Sequence, residues 1–342
     1  MISGRIIAYP KDGNIYTEKL YEEVTRRGVA VIEGVWSLRW LRANSSRGDV
    51  IHIHWPSFLY FDPRSRLRTG LRLAKMYAAL RAAAARGATV VWTAHNLYPH
   101  DDADAAALHR IGRRIIVASA DHVCVHGASA AAIVRREFDV PESRLHVGHH
   151  PHWIGCYPNN LGRIESRSAL GLGADEFVYL FFGRCRPYKG LEALIAAFST
   201  APQPARLVIA GKFSTAGYQR EIESLTRGDP RVQLVAKPIP DAEVQRYFNA
   251  ADCVVLPYRA VLTSGAALLA LSFGRPVIAP DLGSMKDHID AASGVLYAAD
   301  QPQALAEALR AVRSRRFDSA AIIERVSEFT WTRLASQLLE IV

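Results

Sequence analysis

Short apolar runs alternate with stretches of helical spacing along almost the whole chain, and few folds accommodate that alternation. Residues 5–10, 29–32, 50–54, 89–93 and 122–125 have strand composition, while 16–27, 64–86, 103–118 and 128–138 carry apolar residues at helical intervals. The pattern resumes with strands at 177–182, 206–210, 232–236, 253–257 and 276–279 and helices at 190–200, 216–227, 241–249 and 265–273. Strand-then-helix order predicts parallel, doubly wound sheets, in which ligands bind beyond the carboxyl ends of the strands. At 342 residues two such domains are expected. The interruption is residues 148–162, with two prolines, three glycines and three histidines. No carboxylate or cysteine stands at ligand spacing from His149, His150 and His152, so the segment reads as an interdomain linker and not a metal site.

The net charge of +9 is uneven: 21 Lys and Arg stand against 14 Asp and Glu up to residue 157. The densest part, 64–86, holds Arg64, Arg66, Arg68, Arg72, Lys75, Arg81 and Arg86 among Leu71, Leu73, Met76 and Leu80. Such a basic amphipathic helix is either a solvated face or a contact for an anionic membrane surface or lipid-diphosphate acceptor. Nucleic acid is not expected, because the aromatic residues are not spaced as a stacking platform. The N-terminus does not read as a signal peptide, and no apolar run has membrane-spanning length. With Cys124, Cys156, Cys185 and Cys253 scattered and no Cys-x-x-Cys pair, a cytoplasmic location with reduced thiols is expected.

The stretch Phe182 to Gly190, FGRCRPYKG, follows a continuous apolar strand and leads into a helix. Gly183 permits a tight turn, and Arg184 and Lys189 set two cations beside the N–H groups of a helix expected to begin near Gly190. A diphosphate fits such a site, and a solvated basic loop is the alternative. In the same half Pro257-Tyr258-Arg259 is followed by Thr263, Ser264 and Gly265, a second glycine at a helix start with hydroxyls beside it. Two further strand ends in the first half carry histidine. His52 and His54 share one face of a strand that stops at Trp55-Pro56, and His95 lies just past the 89–93 strand, followed by His100, Asp101 and Asp102. If the two strands are neighbours, His54 and His95 line one polar pocket, where histidine titrates or donates. Asp102 and Asp104 are explained by helix capping better than by a metal.

These residues resemble the GT-B glycosyltransferases, specifically the glycosyl group 1 transferases, whose motif G-R-x-x-x-x-K-G is matched by Gly183, Arg184, Lys189 and Gly190. The likeness runs on through 207–211, 251–257, 274–279 and 329–335, and is weaker in the first half at 49–54 and 93–95. The Glu-x7-Glu motif of retaining members is missing, since Val261 and Leu269 occupy those positions. HxHWP, HNLxPH, RPYKG and PYR followed by SGxxLLALSxxRPV are instead similar to bacterial exopolysaccharide mannosyltransferases of the xanthan-assembly type.

The resemblance implies an α/β GT-B fold, with two doubly wound parallel-sheet Rossmann-like domains facing a cleft. The expected boundaries are 1–155 for an acceptor-side domain, 156–328 for a nucleotide-sugar domain, and 329–342 for a terminal helix returning to the first. It implies transfer of a hexose from a nucleotide-diphosphate sugar, GDP-mannose favoured and a UDP-sugar next, to a glycan or lipid-linked acceptor at the inner membrane face, without metal or other cofactor. Donor residues would be Gly183, Arg184, Lys189, Arg259, Thr263, Ser264 and Gly265. Gly13, Asn14, His54 and Trp55 would serve the acceptor side, with His95, Asp101 and Asp102 as catalytic candidates. A sugar-nucleotide epimerase, or a nucleotide-sugar-binding protein with weak catalysis, remains the alternative.

Overall fold

The computed structural model describes residues 4–99 and 105–342. Its first sheet comprises β1 (Ile6–Tyr9), β2 (Val31–Glu33), β3 (Val50–Ile53), β4 (Thr89–Thr93), β5 (His122–His126) and β6 (Leu145–Gly148). All pairs are parallel, in the order β2-β1-β3-β4-β5-β6. Between them run α1 (Ile15–Arg26), α2 (Leu38–Asn44), α3 (Ser57–Tyr60), α4 (Arg66–Ala85), α5 (Ala106–Ser119) and α6 (Ala128–Phe138). Every residue of β1 and β3 is buried, as expected of strands covered on both faces; β1 is accordingly apolar throughout, and β3 is apolar but for His52. Helix α1 starts where the Asn14 side chain accepts from the Tyr16 N–H, and it turns Tyr16, Thr17, Leu20, Tyr21 and Val24 inward.

The second sheet comprises β7 (Phe177–Phe182), β8 (Ala205–Ala210), β9 (Val232–Val235), β10 (Cys253–Val255), β11 (Val277–Pro280) and β12 (Gly294–Tyr297), in the order β12-β11-β10-β7-β8-β9. Its helices are α7 (Arg163–Ala169), α8 (Leu191–Phe198), α9 (Ala216–Thr226), α10 (Asp241–Ala250), α11 (Gly265–Ser272), α12 (Met285–His288), α13 (Ala304–Arg313) and α14 (Ser319–Ser327), and the chain ends in α15 (Trp331–Glu340). The two compact units are residues 1–151 with 329–342, and residues 152–328. In the first, α15 runs along α1: the Arg27 guanidinium donates to the Thr332 carbonyl at 3.1 Å, and the Trp331 and Tyr16 rings lie 5.4 Å apart.

Chain order reverses direction at β1 and β3 in one sheet and at β7 and β10 in the other. Loops leaving those strands diverge, and the crevice they open is where doubly wound sheets take ligands. The loops concerned carry Gly13 and Asn14, His54 and Trp55, Gly183 to Lys189, and Pro257 to Ser264. Four segments that carry candidate residues leave these strands, whereas His95 follows β4, the next strand along.

The boundary between the units, after Pro151, falls inside the 148–162 stretch. Gly148 closes β6, His150 is buried, and Trp153 is held by its own N–H to Ser272 Oγ at 2.8 Å and by its indole N–H to the Gly265 carbonyl at 2.9 Å. In α4, Leu73, Met76 and Leu80 face the core, whereas Leu67, Leu71 and Tyr77 are exposed among the cations. No helix among the described residues is long and apolar enough to cross a membrane. None of Cys124, Cys156, Cys185 and Cys253 is in a disulfide.

Candidate functional site

In the second unit the turn after β7 is knitted into its neighbour. The Gly183 N–H donates to the Ala210 carbonyl, Cys185 N–H to the Lys212 carbonyl and Ser214 N–H to the Cys185 carbonyl, all at 2.9–3.0 Å. A short 3₁₀ turn, Pro187–Lys189, follows, and α8 begins at Leu191 after Gly190. Gly190 has φ +69°, and a Cβ there would sit 2.1 Å from the Pro257 carbonyl oxygen, so only glycine lets the β7 and β10 loops meet. The Arg259 N–H seals the contact by donating to the Tyr188 carbonyl at 2.8 Å.

This framework buries Lys189. Its Nζ lies 5.1 Å from the centroid of the Tyr258 ring and 5.8 Å from that of Phe181, and no carboxylate among the described residues pairs with it. Burial pulls the ammonium below its ordinary range, against a weaker upward pull from Tyr188. A buried cation without an anion costs several kcal/mol unless something brings the missing charge. Arg184, exposed on the same turn, likewise has no acidic partner among the described residues.

Across the turn, Ser264 caps α11 by accepting from the Ala267 N–H at 3.2 Å. Thr263 Oγ1 is buried with no hydrogen-bond partner among the described residues. The first N–H groups of α11, from Gly265 on, are those a helix leaves open. The guanidinium of Arg259, exposed, lies 3.0 Å from the Glu192 carboxylate. The positions of the missing carboxylates hold Val261 and a buried Leu269.

In the first unit β3 and β4 are neighbours, and His54 Nδ1 lies 3.0 Å from His95 Nε2. Trp55 stacks on the His95 ring at 4.5 Å, which orients it. Behind them Tyr21 Oη is 2.7 Å from His54 Nε2 and 3.0 Å from His52 Nδ1, and His52 Nε2 is 2.8 Å from Thr93 Oγ1. Burial drives His54 and His95 well below the ordinary histidine range, with neighbouring histidines adding to it, and burial alone takes His52 to about 3. Burial therefore favours the neutral form of all three imidazoles. The Asn14 oxygen is spent on capping α1, and Gly13 beside it is exposed. His100, Asp101 and Asp102 lie outside the described residues.

Several participants were not found from sequence. Tyr16 Oη meets His126 Nε2 at 2.9 Å, and the His126 and His150 rings are 5.3 Å apart. His126 had a signal, since β3, β4 and β5 all finish at or within two residues of a histidine. Arg113, fully buried, holds the segment after His95 by donating to the Leu97 carbonyl at 2.7 Å and to Asn96 Oδ1 at 3.3 Å. Nothing in its helix sequence marks it.

Residues 176–314 match the family model described as glycosyl transferases group 1. A GDP-mannose:glycolipid 4-beta-D-mannosyltransferase of Xanthomonas campestris pv. campestris is 31% identical over 277 residues, 78% of this chain and 70% of that protein. D-inositol 3-phosphate glycosyltransferase 1 of Catenulispora acidiphila is 26% identical, over 93% of this chain and 77% of its own length. Among solved structures, Anabaena HepE in complex with UDP superposes with a TM-score of 0.72 at 15% identity, covering 98% of both chains. Sucrose-phosphate synthase from Thermosynechococcus elongatus gives 0.68 at 21%, covering 99% of this chain and 95% of its own.

Proposed function

The chain belongs to the glycosyl transferases group 1 and has the GT-B fold, and from that membership we propose that it moves a hexose from a nucleotide-diphosphate sugar, GDP-mannose first, to a saccharide or lipid-linked acceptor. The observation behind this reading is Lys189, a buried cation with no acidic partner among the described residues, on the turn after β7 with Arg184 beside it. As the glycosidic bond breaks, negative charge grows on the leaving diphosphate, and preset cations and N–H groups lower the barrier most where charge grows most. Lys189, Arg184 and the α11 N-terminus with Thr263 take that role, and no metal is assigned to it. GDP-mannose is favoured by the name of the 31% identical relative, and UDP is the next candidate because it is bound in the HepE structure. His95, neutral and aligned by Trp55 and His54, is the group we assign to deprotonate the acceptor hydroxyl in an inverting transfer.

A thermal-shift series over GDP, UDP, dTDP and their sugars, with EDTA throughout, tests the donor assignment. At a hundredfold excess over Kd a ligand of the native state adds about 2.7 kcal/mol, a rise of several degrees. GDP and GDP-mannose are expected to give the largest rise. A larger response to UDP reassigns the base, and no response to any diphosphate removes the donor site from this turn.

We further infer that the exposed face of α4, where Leu67, Leu71 and Tyr77 stand among Arg64, Arg66, Arg68 and Lys75, rests on an anionic lipid surface. Phe58, also exposed, adds to the apolar surface of this region. Co-sedimentation with vesicles of phosphatidylglycerol and phosphatidylcholine is expected, weakening in high salt and in a Leu67→Ser/Leu71→Ser variant. Equal sedimentation of that variant, or equal binding to purely zwitterionic vesicles, rules the surface out.

A further inference from the structure

Behind the histidine cluster of the first unit lies a cavity of about 260 Å³. Its inner wall includes His52, Thr93, Cys124 and His126, and its outer wall includes Val147 and Glu340, both exposed. Thr93 and His52 thus border a space that reaches the surface, while the hydrogen-bond chain they begin ends at His95. We propose that Thr93, His52, Tyr21 and His54 are positioning residues that form a proton relay, conducting the proton His95 receives out to this cavity.

The relay rests on the assignment of His95 as the acceptor's base, and it answers a difficulty in that assignment. An imidazole inside the protein cannot hold a second proton cheaply, because the charge would be stranded among apolar and neutral groups. It can accept one on Nδ1 if another leaves Nε2 in the same event. No described residue bonds His95 Nδ1, and Nε2 is the atom that meets His54.

The links have one phase in which every bond is made. With His95, His54 and His52 each protonated on Nε2, His95 donates to His54 Nδ1 and His54 to Tyr21 Oη. Tyr21 in turn donates to His52 Nδ1, and His52 to Thr93 Oγ1. When the acceptor O–H breaks and His95 Nδ1–H forms, each proton in the chain moves one link. His95 loses its Nε2 proton to His54 Nδ1, His54 loses its own to Tyr21, Tyr21 passes its phenolic proton to His52, and His52 its Nε2 proton to Thr93. The Thr93 hydroxyl proton passes to water in the cavity. Every imidazole ends neutral, protonated on Nδ1, and one proton has left without a buried charge. The cavity has the room and the polar wall that water needs.

The test uses the whole chain with ¹⁵N-labelled histidine, reading tautomers by long-range ¹H–¹⁵N correlation, with turnover of GDP-mannose measured in parallel. In the resting protein at neutral pH, His52, His54 and His95 are expected to carry their protons on Nε2. Tyr21→Phe keeps the ring and breaks the chain at its middle; Thr93→Val keeps the shape and breaks it at the outlet. Each is expected to lower kcat about tenfold with KM unchanged, part of the roughly 10²- to 10⁴-fold that proton transfer contributes to catalysis. Tyr21→Phe should also release the tautomers of His54 and His95 from a single phase. Protons on His52 Nδ1 and His54 Nε2 together, both aimed at Tyr21, would leave no path and overturn the relay. So would wild-type kcat in both variants. If His95→Ala is inactive while those two are not, the relay alone fails; if His95→Ala also turns over normally, the base assignment fails with it.

Discussion

Replacing Lys189 with methionine is expected to lower transfer by about 3 kcal/mol, a factor of roughly 10², and to leave the ligand-free protein as stable as before or more so. The two halves of that result come from one cause. The side chain is buried against Tyr258 and Phe181 with no carboxylate to neutralise it among the described residues, so the empty protein carries a cost that the donor's diphosphate relieves. Methionine fills the same volume without the charge, which removes the cost and the binding energy together. Arg184→Ala should act in the same direction with a smaller effect, because that guanidinium is solvated before the ligand arrives. Turnover and nucleotide thermal shift, measured on both variants beside the ligand-free Tm, check this. If Lys189→Met loses stability and keeps its thermal shift, the lysine serves the fold and not the donor.

Mild acid is expected to unfold the first unit. The buried histidines have native values below 6.5, with His52 near 3, His150 near 4, and His54 and His95 also well below it, in each case chiefly through burial. A depressed native pKa means that the unfolded chain binds the extra proton, so stability is complete above about pH 6.5 and falls as the pH drops below it. One pH unit lower, each histidine costs about 1.4 kcal/mol, and the four together about 6 kcal/mol at most. That approaches the whole stability of many domains. Urea midpoints at pH 7.5 and 5.5, followed by tryptophan fluorescence, measure it; Trp36, Trp40, Trp55, Trp92 and Trp331 all report on the first unit. An unchanged midpoint would mean that these rings titrate as if in water.

The parallel architecture and its glycine turn could be read from sequence because each depends on short-range pattern. A strand covered on both faces must be apolar throughout, and a turn that brings two loops within van der Waals contact must have glycine at Gly190. The pairing of His54 with His95 was legible for a related reason, since alternation fixes faces and consecutive strands tend to be neighbours. Where the sequence misled, a different force decided. β6 is only half-buried and includes His146 and Gly148, so no apolar run marks it. The Glu192 partner of Arg259 was not legible, because it comes within ion-pair distance only once α8 packs beside the β10 loop. Asn14, expected on the acceptor side, was not foreseen as the cap of α1, a common use of asparagine at a helix start. Tyr21 belongs to the histidine network by tertiary placement alone, its own helix giving it the pattern of any core tyrosine.

The return of residues 329–342 to the first unit also orders events during synthesis. A ribosome delivers 1–151, then all of 152–328, and only then Trp331, whose ring packs on Tyr16 beside the histidines. The second unit has its whole sequence available while the first still lacks α15. Because Leu334 and Leu338 of that helix also wall the cavity, the compartment takes its final form last. The cavity of the first unit is thus completed only after the whole sequence of the second has been synthesised.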